Sequence, residues 1–96
     1  MRLDPLFAVF AADLKISKEK LARAYAKHDD ETLRKELHKT RGGVVYLILP
    51  QLDKALVQFH EALKEKPQSP ELVASTYAQL QASMENFWDS LEKKAS

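Results

Sequence analysis

Ninety-six residues and 11.0 kDa allow one domain with one modest core. Fifteen basic and fourteen acidic side chains leave a net charge of +1, which argues against a nucleic-acid binder driven by bulk charge. There is no cysteine, so disulfides and thiolate metal sites are excluded. Apolar runs such as Val44 to Leu49 are too short to span a bilayer, and Met1-Arg2-Leu3-Asp4 does not read as a secretory signal. No membrane contact is expected, and the absence of cysteine leaves the redox compartment undecided.

The first element is expected from about residue 5 to 28. Leu3, Phe7, Phe10, Leu14, Leu21 and Ala24 recur at helical steps, with Leu6 and Tyr25 widening the stripe. Pro5 suits a first turn. Lys15, Lys18, Glu19, Lys20 and Arg23 fall on the other side. Ser17 interrupts the composition but not the phase, so one helix is expected.

Asp29-Asp30 breaks the pattern, and either residue suits the cap of a second helix over about 30 to 48. Leu33, Leu37, Thr40, Val44 and Leu47 form its stripe. Gly42-Gly43 followed by Val44 to Leu49 and Pro50 also reads as a buried strand between breakers. A strand needs a partner, and no other window offers one, so the helix reading is preferred. Two mid-helix glycines cost about 1 kcal/mol each relative to alanine, so something should require them.

The third helix is expected at about 51 to 65, burying Leu52, Ala55, Leu56, Phe59 and Leu63, with Pro50 ending the second helix or starting the third. Ser69 as cap and Pro70 in the first turn mark a fourth over about 70 to 94. Its stripe is Val73, Tyr77, Leu80, Met84, Phe87 and Leu91, with Trp88 beside it and Lys93-Lys94 near its end. Four amphipathic helices with short connectors predict an all-α, antiparallel up-down-up-down bundle, a single domain over residues 1–96.

Little in the chain suggests catalysis. His28, His38 and His60 lack partners at metal-ligand spacing, so no metal or other cofactor is expected. There is no Gly-x-Ser-x-Gly and no phosphate-binding loop. His38 stands apart because it falls opposite the apolar stripe, among Arg34, Lys35, Lys39 and Arg41. Helical side chains lean toward the N-terminus, so a side chain at 42 would lie over the turn of residue 38. Glycine there leaves the ring approachable. A solvated imidazole is largely neutral at pH 7 and nucleophilic, and nearby cations would offset the roughly −2 charge of an added phosphoryl group.

The stretch Leu37-His38-Lys39-Thr40-Arg41-Gly42-Gly43 resembles the His-x-Leu-Lys-Gly pattern of histidine-containing phosphotransfer (HPt) domains. Tyr46 and Pro50 look like the Tyr-x-Gly-Val-Pro stretch of C-terminal HPt domains in BarA/GacS-type hybrid sensor histidine kinases. Asp29 to Leu33 resembles the family's approach to its histidine helix, and Phe10-x-x-Asp13-Leu14 its preceding helix. Thr40 stands where the family usually has leucine, Ile48 where a second glycine is common, and Arg41 where lysine is usual. The resemblance covers most of residues 6 to 65, with the specific motif confined to 37 to 50.

The resemblance implies a phosphocarrier rather than an enzyme, with magnesium and catalytic groups belonging to its receiver-domain partners. His38 would take a phosphoryl group from a receiver aspartyl-phosphate of a hybrid kinase and pass it to a response-regulator aspartate. Lys39 and Arg41 would support the group, and Gly42 would provide clearance. Arg34, Lys35 and Val45 would dock the receiver transiently, beside part of the first helix, with the chain itself a monomer. The reading from another class is a non-catalytic helical adaptor, either a degenerate HPt domain or an unrelated interaction bundle.

Overall fold

Proline, aspartate and serine set where the helices of this chain begin. In the computed structural model, which describes residues 5–47 and 49–95 (the side chains of Leu6, Tyr46 and residues 92–95 excepted), there are four helices and no strand among the described residues. They are α1 (Pro5–Ala26), α2 (Asp30–Leu47), α3 (Pro50–Lys64) and α4 (Pro70–Ala95). Among the expected features, Leu3, Ile48 and the side chains of Leu6, Tyr46, Lys93 and Lys94 lie outside the described residues.

Each boundary has a local cause. After α1 the backbone turns left-handed at His28 (φ 57), and the Asp29 N–H reaches back to the Ala24 carbonyl at 2.9 Å. That closes the helix two residues earlier than the stripe suggests, and it does so without the glycine usual at such a position. Asp29 then caps α2: its Oδ1 accepts the Thr32 N–H at 3.2 Å and its Oδ2 accepts the Thr32 hydroxyl at 2.7 Å. Pro50 starts α3 rather than merely ending α2, because its missing N–H costs nothing in a first turn. Ser69 caps α4, its Oγ accepting the Leu72 N–H at 3.3 Å.

The four apolar stripes meet in one core. Leu14, Leu21, Leu33, Leu37, Val44, Leu56, Phe59, Leu80 and Met84 are fully enclosed. Helices pack in a ring, α1 on α2, α2 on α3, α3 on α4 and α4 on α1, with no backbone approach across either diagonal among the described residues. That is the antiparallel four-helix bundle the connectors imply, 48 × 21 × 18 Å overall. The 41–47 segment is helical: its apolar run had no strand to pair with, and Val44 finds its burial in the bundle.

Two joints hold the ring with different chemistry. Between α1 and α4 the contact is made by large side chains: Tyr25 stacks on Tyr77 at 4.0 Å, Phe10 meets Phe87 edge-on at 5.4 Å, and the Trp88 Nε1–H donates to the Ala11 carbonyl at 3.3 Å. Lys18 pairs with Glu85 there and, with Lys15, lies over the Trp88 ring. Between α1 and α2 the approach is closer. A Cβ placed on Gly43 would sit 2.9 Å from two ring carbons of Phe10, so any side chain there must displace that ring. In the same joint Ser17, in phase with the stripe, donates from Oγ to Glu36 Oε1 at 3.3 Å, while the buried Thr40 hydroxyl has no partner among the described residues.

Candidate functional site

α2 carries the candidate site because its two faces are sharply different. Leu33, Glu36, Leu37, Thr40 and Val44 point inward, and Arg34, Lys35, His38, Lys39, Arg41, Gly42 and Val45 are all exposed. His38 thus projects into solvent from the middle of an 18-residue helix, on the side away from the core. The capped start of α2 and the packing of Leu37 and Val44 on either side of it hold that backbone in place.

The surroundings of His38 are basic and open. Gly42 lies one turn on, and a Cβ built there would meet nothing within 4 Å. The clearance is therefore larger than one methyl group: alanine would leave the approach free, and a longer side chain is needed to cover it. The two adjacent glycines divide their work, Gly43 for helix contact and Gly42 for open space.

The cations differ in their commitments. Lys35 pairs along the helix with Glu31 at 3.3 Å, with both side chains well exposed. Arg41 reaches to α3, its Nε donating to Asp53 Oδ1 at 2.8 Å. Lys39, adjacent to His38 in sequence, projects from a different side of the helix, since neighbours at i and i+1 do not face each other.

On α3, His60 is partly buried and lies within the field of these groups. Burial first, then the Lys64 charge, and then Arg34 and Arg41, push its pKa below the usual histidine value, with Glu61 opposing.

Val45, 56% exposed, adds an apolar spot to the same face. Val9 and Ile16 on α1 are exposed as well, at 60% and 52%. No cluster of potential metal ligands occurs among the described residues, and no helix there is long and apolar enough to cross a membrane. The arrangement offers a solvent-exposed imidazole on a helix face that also carries Arg34, Lys35 and Arg41. No protein family, curated protein or solved structure matches the chain.

Proposed function

We propose that this domain is a phosphorelay intermediate that carries a phosphoryl group on His38. The observation that carries the reading is the exposure of His38 from a fixed helix with open space at Gly42 and cations around it. An imidazole nitrogen of His38 attacks the phosphorus of a receiver aspartyl-phosphate. The N–P bond forms as the acyl P–O bond breaks, and the aspartate carboxylate leaves. The reverse step, on a response-regulator aspartate, passes the group onward. The chain supplies position and charge; the partner supplies the catalytic groups.

Arg34, Lys35 and Val45 form the docking face in this reading, Lys39 and Arg41 offset the charge of the bound group, and Gly42 lets the partner's carboxylate approach. Such a contact is small and short-lived, at roughly 1,200 Å² or less, because a carrier must let go. The domain works as a monomer in the cytoplasm, where receivers of hybrid kinases and response regulators operate, and needs neither nucleic acid nor a membrane surface.

The test is transfer from a panel of phosphorylated receiver domains to the chain and to its His38→Gln variant. Acid-labile label on the wild type and none on the variant is the expected result. No label from any receiver, with an active HPt domain labelled in parallel, would replace the carrier by a helical adaptor.

A further inference from the structure

Arg41 follows His38 by three residues on α2, and both side chains stand on its exposed face. At that spacing Cβ atoms lie about 5–6 Å apart, and a helical arginine leans back toward the preceding turn, where His38 is. Yet the guanidinium is already engaged. Its Nε donates to Asp53 Oδ1 on α3 at 2.8 Å. The two side chains are 51% and 31% exposed, so water screens the pair and holds it weakly. This bond occupies the Nε–H, one of the two donors with which a guanidinium grips an anion side-on.

A phosphoryl group on His38 changes the contest. It brings roughly two negative charges and three strong acceptor oxygens, against the single charge of a carboxylate. Guanidinium groups bind such anions in paired, charge-assisted bonds. Asp53, for its part, is an anion close to the arginine that such a group needs. The bond to Asp53 draws the Arg41 guanidinium toward α3 when His38 is unloaded.

We propose that Asp53 and a phosphoryl group on His38 compete for the Arg41 guanidinium, so that the α2–α3 ion pair opens when His38 is loaded and re-forms when it is unloaded. The inference rests on His38 accepting a phosphoryl group, but not on any receiver. Asp53 is then a positioning residue. It keeps Arg41 in place between transfers and weakens the hold on the bound group, so that the group can leave.

The experiment uses the whole chain and phosphoramidate as donor. An imidazole nitrogen forms the N–P bond, the P–N bond of the donor breaks, and ammonia leaves. Phosphohistidine signals are read by phosphorus NMR, with the His38 signal assigned as the one missing from His38→Gln, and the Nε–Hε resonance of Arg41 is followed in the same samples. That resonance is expected to move on phosphorylation in the wild type and to stay still in His38→Gln. In Asp53→Asn the titration midpoint of the phosphoryl group should fall by about 0.3–0.7 pH unit. The fall should vanish in an Arg41→Gln background, and Asp53→Glu should restore wild-type behaviour.

An Arg41 resonance unmoved while phosphohistidine 38 is present would overturn the competition. So would an equal fall of the midpoint without Arg41, which would make Asp53 a plain repulsive charge. No signal from residue 38 while His28 is labelled would overturn both this inference and the carrier reading. Competition observed with every receiver silent would overturn the carrier reading alone.

Discussion

Gly42 and Gly43 are neighbours with opposite sensitivities. A methyl group on Gly42 meets open space, whereas one on Gly43 comes to 2.9 Å from the Phe10 ring, which is itself braced edge-on by Phe87. Gly42→Ala should therefore raise stability by about 1 kcal/mol, the helix-propensity gain with nothing against it. Gly43→Ala makes the same gain but must displace a braced ring, and the net should be a loss of about 1–3 kcal/mol. Urea unfolding of the two variants measures this, and equal gains would show that Phe10 yields freely. Phosphotransfer should survive Gly42→Ala and fail in Gly42→Leu, whose branched end extends over the turn of His38. The sequence exposed the anomaly of two helical glycines and led correctly to an open position at 42. It could not point to Phe10, because which α1 side chain faces residue 43 depends on the rotation of one helix against the other. Ser17 was likewise legible as in phase, but its bond to Glu36 depends on that same rotation.

At the scale of the element, α2 depends on the seal at its start. The two bonds from Thr32, the hydroxyl first and the backbone N–H second, hold the Asp29 carboxyl below the usual carboxylate value, and Lys27 and Lys35 add to this against a small desolvation cost. A carboxyl whose pKa is depressed by folding stabilises the fold above its unfolded pKa, and that contribution disappears as pH falls through the folded value. Asp29→Ala should therefore melt at lower temperature than the wild type at pH 7. The gap between the two should close as the pH falls below about 3.9, the ordinary aspartate value. A gap that stays constant down to pH 2 would mean that the cap acts without its charge. The sequence placed a cap at residue 29 or 30, and the fold separates them: Asp29 takes Thr32, and Asp30 takes the Gln68 amide at 2.9 Å from the connector before α4. Local capping chemistry is written within four residues and can be read directly. The Arg41–Asp53 bond spans a helix junction, and no periodicity in either helix names it.

The whole molecule decides whether His38 is a site or merely a histidine. Its exposure, the opening at Gly42 and the position of Arg41 all follow from α2 being held in a ring of four helices. That ring was legible from the stripes, since Leu52, Ala55, Leu56, Phe59 and Leu63 were expected inside and are buried. Thr40, expected in the stripe, is buried as well, its hydroxyl without a partner among the described residues. Phe59 is fully enclosed and lies 5.4 Å from Tyr77, where α3 meets α4. Phe59→Ala should cost about 3–5 kcal/mol, a large part of the 5–15 kcal/mol typical of a whole domain. Its effect on His38 should depend on the donor. Phosphoramidate needs only an accessible imidazole, so labelling of His38 should persist as helicity is lost. A receiver needs the docking face assembled, so its transfer should fall in step with circular dichroism as the variant is warmed. Parallel loss of both labels would tie the imidazole's reactivity itself to the fold. Persistence of receiver transfer in the unfolded variant would show that the motif around His38 is read as a linear segment, and the bundle would then have no part in recognition.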